Sequence, residues 1–203
     1  MSRERKRVHG VGIIGHGPYK VKLEGKVTAQ YSVWDSMLRR CYSIKGKIDR
    51  PTYNECTVCE EWHDYQTFAH WFTSTWNHSY QNLQIDKDLL FPGNKQYSPD
   101  TCVLIPRRLN LFTIGRDSSR GDWPIGTCFN KKLGRFVAYC SQEGRTVHLG
   151  CFDDPFCAHE AWYKRKIQLA YGFKELCDDI HPRLFSGVLA KIESMRVKNY
   201  QTN

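Results

Sequence analysis

Residues 127–149 contain three short segments in which hydrophobic and polar positions alternate. A period of two is typical of strands with one buried face. The segments share an apolar side that comprises Phe129, Phe136, Ala138, Cys140, Val147 and Leu149. Their polar side comprises Asn130, Arg135, Tyr139, Ser141, Thr146 and His148. Gln142-Glu143-Gly144 predicts a hairpin loop between the last two strands, with glycine in the left-handed position.

The apolar positions change to a helical period between residues 154 and 171. The predicted inner face of this helix comprises Ala158, Ala161, Trp162, Leu169 and Phe173. Three strands and one helix can therefore share an apolar layer, which leaves the polar side of the sheet in solvent. A last helix is marked by Leu184, Val188, Leu189 and Ile192, and we expect it to pack back onto one of the domains.

The N-terminal half predicts a small hairpin at Glu24-Gly25, two aromatic helices and two short buried strands. Residues at helical spacing in the first helix are Tyr31, Trp34, Met37, Leu38, Cys41 and Tyr42. The second helix runs from about Glu60 to Phe72, with an apolar face of Trp62, Tyr65, Phe68, Ala69 and Phe72. The strands lie at residues 83–85 and 103–105, with turns at 92–94 and 98–100. The predicted fold class is α+β.

Composition narrows the classes of partner. With 203 residues, 40% of them hydrophobic and 13% aromatic, the chain is long enough for one sizeable or two small cores. A net charge of +9 and a pI near 9.1 favour a polyanion, most simply nucleic acid, although an anionic membrane surface also fits. No apolar run approaches the ~18 residues of a membrane span. Nine cysteines without a secretion signal indicate reduced thiols of a cytosolic protein.

The polar side of the predicted sheet is either an ordinary hydrated surface or a surface that enters a DNA major groove. The stretch carries an opening Gly126, a Gly-basic-Phe step at 134–136, Leu-Gly-x-Phe at 149–152 and Ala158-x-x-Ala161. In these features it resembles the Apetala/ethylene-response-factor DNA-binding domain. Cys128 and His148 replace the arginine and tryptophan base readers of plant members, so no sequence preference carries over. The candidate DNA contacts are Asn130, Lys131, Lys132, Arg135, Tyr139, Ser141, Arg145 and His148.

A second set of motifs lies before that stretch. It comprises Trp34-x-x-Met37, Arg40-Cys41-Tyr42, Val58-Cys59-x-x-Trp62, Ile85-Asp86-Lys87-Asp88 and Tyr97-Ser98-Pro99-Asp100-Thr101-Cys102. These motifs are similar to a family of tailed-phage proteins described as HNH-endonuclease-like. The resemblance implies a small degenerate HNH-like ββα domain, in which an Asp-His pair supplies a metal ligand and the general base. Asp86 matches the acid, but Lys87 stands at the histidine position. The candidate catalytic residues are Asp86, Lys87, Asp88 and Asn94.

Two metal sites follow as hypotheses. Asp86 and Asp88 are spaced i, i+2, so on a strand they would share a face and could hold Mg²⁺ or Mn²⁺. The alternative is that Asp86 pairs with Lys87 or with a distant arginine. Cys56-x-x-Cys59 together with Cys41 and Cys102 could form a structural zinc site, or the four could be separate buried thiols.

The predicted organisation has five parts. Residues 1–30 form a basic arm and hairpin, 31–115 the HNH-endonuclease-like domain, 116–123 a linker, 124–175 the Apetala/ERF-type domain and 176–203 a C-terminal helix. The basic arm either contacts phosphates or is a solvated tail. Arg116 and Arg120 of the linker either lie along DNA or are hydrated.

The leading functional hypothesis is a phage-type homing endonuclease that cleaves a phosphodiester with a divalent metal while the C-terminal sheet holds the target. The alternative is a DNA-binding regulator on the same scaffold without cleavage, which the missing histidine favours. A third hypothesis is a basic inhibitor of a host protein, without DNA affinity at moderate salt. The first two predict double-stranded DNA as partner, no small-molecule substrate, no membrane, a monomer, and the cytoplasm of the bacterial host.

Overall fold

A computed structural model describes residues 7–77, 79–115 and 122–197. The chain forms two compact α+β units, one ending at Asn110 and one beginning at Leu111, here called the N-terminal and C-terminal units. Within the described ranges no helix combines the length and apolar character needed to cross a lipid bilayer. The first residues of the predicted basic arm, 1–6, and Arg116 and Arg120 of the predicted linker fall outside these ranges.

The N-terminal unit is built from short strands and two long helices. Its elements are β1 (Lys22–Leu23), β2 (Lys26–Val27), α1 (Ala29–Tyr42), α2 (Ile44–Asp49), β3 (Thr57–Val58), α3 (Tyr65–Thr75), β4 (Leu83–Asp86), β5 (Gln96–Tyr97) and β6 (Val103–Pro106). Helix α4 (Arg107–Thr113) follows β6 directly, and the boundary between the two units falls within it. β1 and β2 form an antiparallel hairpin, β3 and β5 pair in parallel, and β4 and β6 pair antiparallel.

The core of this unit lies between α1 and α3, as the helical spacing predicts. The fully buried aromatic side chains of this core include Trp34, Trp62, Tyr65, Phe68, Phe72 and Tyr97. The indole N–H of Trp34 donates to the backbone carbonyl of Trp62 at 2.7 Å, which ties α1 to the segment before α3.

The second helix begins later than the prediction of about Glu60. A 3₁₀ turn covers Glu60–His63, and α3 starts after Asp64. The Asp64 carboxylate accepts a hydrogen bond from the Thr67 amide at 2.9 Å, so it caps the first turn of α3. The predicted hairpin at Glu24-Gly25 is present, and the segment before it packs on α3 through Gln66, which bonds both backbone groups of Tyr19.

The C-terminal unit contains the predicted three-stranded antiparallel sheet and three helices. Its elements are β7 (Thr127–Asn130), β8 (Arg135–Gln142), β9 (Arg145–Phe152), α5 (Pro155–Tyr171), α6 (Lys174–Ile180) and α7 (Leu184–Ser194). The strand order is β7-β8-β9, and α5 packs against all three strands. Helix α7 packs against α5, as expected for the last helix.

The inner face of α5 matches the helical prediction in part. Ala158 and Trp162 are buried, but Ala161 and Leu169 are only half-buried. His159 is buried instead, where its ring bonds the carbonyl of Ile125 at 2.8 Å and the amide of Val197 at 2.9 Å. Since both ring nitrogens are engaged, this histidine ties the start of the sheet and the end of the described chain to α5.

Candidate nucleic-acid interface and candidate metal site

Polar side chains of neighbouring strands lie beside one another on the side of the sheet away from α5. Directly opposed residues share a face of an antiparallel sheet. The polar pairs on this side are Asn130–Arg135, Tyr139–His148 and Ser141–Thr146. We call this side the open face, and it also carries Cys128, Val137, Cys151 and Asp153 by alternation along the strands. The predicted division between polar and apolar sides is therefore confirmed for these pairs.

The centre of the open face is formed by Tyr139 and His148. Both residues are exposed. Their rings meet edge-to-face, with centroids 5.5 Å apart and an interplanar angle of 64°. The phenol hydroxyl and the imidazole can each donate or accept a hydrogen bond. These are the groups that a reader of base edges needs.

One apolar residue, Val137, lies between Arg135 and Tyr139 on the open face. It is 1% exposed, and it pairs with Cys128 on one side and Cys151 on the other. The Cys151 sulfur lies 3.8 Å from Nε2 of His148. The sequence analysis missed this strip, although Val137 has the same parity along the strand as its polar neighbours.

A β-bulge interrupts the pairing of β8 with β9. The register shifts between Ala138, which pairs with Gly150, and Tyr139, which pairs with His148. Leu149 is therefore the extra residue of the bulge, and it interrupts the regular alternation that the sequence predicts for β9. The Tyr139 amide donates to the Gly126 carbonyl at 2.8 Å, so the turn before β7 helps to position the central tyrosine.

The turn between β7 and β8 presents two of the predicted DNA contacts. Lys131 and Lys132 are exposed there. The side-chain oxygen of Asn130 accepts from the amides of Lys132 and Leu133, at 3.0 and 3.2 Å. Asn130 therefore builds the turn with its oxygen and presents the two lysines at one end of the open face.

Arg135 forms a bidentate ion pair with Asp153. Its Nε and Nη2 groups donate to the two carboxylate oxygens of Asp153, at 2.7 and 3.1 Å. The arginine and aspartate side chains are 44% and 85% exposed, so the pair lies at the surface. The sequence analysis did not predict a role for Asp153, which follows β9 directly. Nothing close to it in the sequence indicates that it pairs with Arg135, 18 residues away.

Arg145 lies on the other side of the sheet from the remaining strand candidates. It pairs with Gln142, and the Gln142 side chain accepts a hydrogen bond from Arg165 of α5 at 2.6 Å. Because opposed residues share a face, Arg145 belongs to the helix side, at the end of the hairpin. The prediction that Arg145 lies with the other strand candidates is therefore wrong, because strand parity separates it from the open face.

Asp86 and Asp88 do not share a strand. β4 ends at Asp86, and Asp88 lies in the bend that follows. One Asp86 oxygen accepts from the amides of Asp88 and Leu89, at 2.9 and 2.8 Å. Asp88 lies 3.5 Å from the Lys87 ammonium. The i, i+2 argument for a metal site therefore loses its premise, since the two carboxylates do not lie on one strand, and Lys87 forms an ion pair with the neighbouring Asp88.

Lys87 and Asn94 close the loop between β4 and β5. The Lys87 side chain is 10% exposed, and its ammonium donates to the Asn94 carbonyl at 2.8 Å. The Asn94 amide group donates to the carbonyls of Lys87 and Gln96, at 2.7 and 2.6 Å, and its oxygen accepts from the Gln96 amide. These bonds give both candidate catalytic side chains a role in loop structure.

The four cysteines of the zinc hypothesis lie in or beside the N-terminal core. Burial raises the pKa of the Cys41 thiol to about 11 and that of Cys102 to about 12. Zinc binds thiolates, so binding here would have to displace protons from such thiols. In the parts of the chain that the structure describes, no three or more His, Cys, Asp or Glu side chains are grouped to hold a metal ion. Both metal sites stay predictions from the sequence.

No protein-family profile, no curated protein and no solved structure matches this chain.

Proposed function

We propose that this protein binds double-stranded DNA through the open face of its C-terminal sheet. The observation that carries the proposal is the exposure of Arg135, Tyr139 and His148 on the face that α5 leaves uncovered. An ordinary hydrated face would also be exposed, so the proposal depends on what this face offers chemically.

The size of the sheet suits the groove. Neighbouring strands lie about 4.8 Å apart, so three strands span roughly 10 Å between the outer backbones. The major groove of B-DNA is about 12 Å wide and admits a β-ribbon. The edge of the face at the β7–β8 turn meets phosphates, and the centre meets base edges.

The distribution of charge suits the same partner. Lys131 and Lys132 are positive at one end of the open face, while its centre carries the polar rings of Tyr139 and His148. Phosphate contacts position a protein on duplex DNA, and base contacts specify the sequence. The net charge of +9 and the resemblance of residues 126–162 to a DNA-binding domain point the same way.

Binding is tested by the salt dependence of affinity for a fluorescent random-sequence duplex. The wild-type chain should show a linear fall of log K with log salt between about 50 and 200 mM. The double variant Lys131→Ala/Lys132→Ala should lower the slope by about one to two units, because each lost phosphate contact removes ~0.9.

The matched control is the double variant Lys164→Ala/Lys174→Ala, which changes one exposed lysine on α5 and one on α6. Like the first variant, it removes two exposed lysines, but from the helices and not from the turn beside the open face. Its slope should stay closer to that of the wild type. Equal slopes for the two double variants would contradict contact through the open face, and no affinity at moderate salt would favour the host-protein inhibitor.

Cleavage is a second candidate, favoured by one observation. β4 and β6 pair antiparallel, α4 follows β6 directly, and Asp86 ends β4, which is the ββα order that the HNH-like resemblance implies. The involvement of Lys87 and Asn94 in loop structure supports binding without cleavage.

A plasmid-nicking assay with magnesium or manganese separates these candidates. If Asp86 is a metal ligand, Asp86→Asn should lower the nicking rate by about 100-fold or more. Asparagine keeps an oxygen for the amides of Asp88 and Leu89, whereas Asp86→Ala removes it, so the comparison separates charge from loop structure. Nicking that is unaffected in Asp86→Asn would exclude this residue as the metal ligand.

A further inference from the structure

The Arg135 guanidinium has one hydrogen-bonding edge occupied and another directed away from its partner. A guanidinium carries five N–H donors and can bind bidentately along its Nε/Nη2 edge or across its Nη1/Nη2 end. Asp153 takes the first edge, through Nε at 2.7 Å and Nη2 at 3.1 Å. One N–H of Nη1 and the second N–H of Nη2 form the edge at the end of the guanidinium.

We propose that Arg135, oriented by Asp153, reads a guanine in the major groove through this second edge. The inference rests on the proposed binding of duplex DNA through the open face. Guanine presents two acceptors, O6 and N7, in the major groove, and a bidentate arginine is their commonest specific contact. Their spacing matches two parallel N–H donors at the end of a guanidinium.

Asp153 also makes Arg135 a poor phosphate contact. Asp153 already occupies the Nε/Nη2 edge, and its carboxylate repels a phosphate that approaches the remaining edge. A neutral base with two acceptors meets no such repulsion. Lys131 and Lys132, in the adjacent turn, are better placed to contact phosphates. In this scheme the two lysines position the protein on the DNA backbone, and Arg135 contacts the base.

Asp153 is not needed for the helix that follows it. The cap of α5 is Asp154, whose side chain accepts from the amides of Phe156 and Cys157, at 2.8 and 2.9 Å. A substitution of Asp153 can therefore remove the partner of Arg135 without removing the cap of α5. Asp153 is a positioning residue in this scheme, and Arg135 makes the contact.

The experiment begins with selection of duplexes from a random-sequence library by the wild-type chain. Affinity is then measured for a selected duplex and for the same duplex with each guanine in turn replaced by 7-deazaguanine, which lacks the N7 acceptor. At one guanine the wild type should lose affinity by about 5- to 150-fold. Asp153→Asn should lose much less there, while its affinity for unselected duplexes should not fall.

Two further variants separate orientation from charge. Asp178→Asn removes a carboxylate from another exposed ion pair of the same unit and should keep the wild-type sensitivity to 7-deazaguanine. Arg135→Lys keeps the charge but loses the two-donor edge, and it should lose the sensitivity.

The possible failures are distinguishable. If the selected duplexes contain no guanine on which affinity depends, or if Asp153→Asn keeps the full sensitivity, the guanine inference is overturned while DNA binding stands. If the wild-type chain binds no duplex even at low salt, the proposed function itself is overturned.

Discussion

Replacing Gly126 with alanine is expected to lower the free energy of unfolding of the C-terminal unit by about 2–5 kcal/mol. The backbone of Gly126 has φ of +81°, which disfavours any residue with a Cβ atom. An added Cβ would also lie 2.1 Å from Cγ and 2.5 Å from Cβ of Trp162. These atoms lie at the root of a buried side chain of α5, so the ring cannot move aside without moving the helix.

Gly144→Ala is the matched control for this substitution. Gly144 has φ of +79°, but nothing lies within 4 Å of an added Cβ. It should therefore cost only the backbone strain, about 1–2 kcal/mol. Urea denaturation followed by circular dichroism measures both variants. Equal losses would show that the contact between Gly126 and Trp162 is not as close as the structure has it.

The second large effect is expected in the N-terminal unit. Trp34→Ala should lower the free energy of unfolding by about 3–5 kcal/mol, because Trp34 is fully buried and its removal leaves a cavity between α1 and α3. Trp34→Phe keeps most of the ring but loses the N–H that donates to the Trp62 carbonyl, and it should cost about 1–3 kcal/mol.

The same denaturation experiment orders these two variants. Trp34→Ala should be the less stable of the two, since a lost ring and a lost hydrogen bond cost more than the hydrogen bond alone. A Trp34→Ala variant within about 1 kcal/mol of the wild type would contradict the position of this side chain at the centre of the core.

The sequence predicts the features that depend on periodicity. Burial of Trp34 and Phe68 follows from helical spacing, and the pairing of Tyr139 with His148 on one face follows from strand alternation around a short hairpin. Both signals are local, since each residue's side is determined by its distance along the same element.

Features that depend on contacts distant in sequence could not be predicted in this way. The partner of Arg135 is 18 residues away, and nothing in the sequence marks Asp153 among several exposed acids. The bulge at Leu149 arises from how β8 and β9 align, so alternation along one strand cannot locate it.

The candidate metal site illustrates the same limit. The spacing of Asp86 and Asp88 predicts a shared face only if the strand continues through both residues. β4 ends at Asp86 because the Asp86 side chain accepts hydrogen bonds from the amides of Asp88 and Leu89, and these bonds turn the chain. The involvement of Asn94 in closing the same loop is likewise a three-dimensional feature that residue type alone does not reveal.

The most direct test of the central claim is a nuclear magnetic resonance titration of the labelled full chain with a short duplex DNA. We expect the largest chemical-shift changes at the backbone amides of Tyr139, Ser141 and His148 and in the turn that carries Lys131 and Lys132. The amides of α7 (Leu184–Ser194), which packs against α5, should change little. Changes concentrated on α7, with an unperturbed open face, would contradict DNA binding through this sheet.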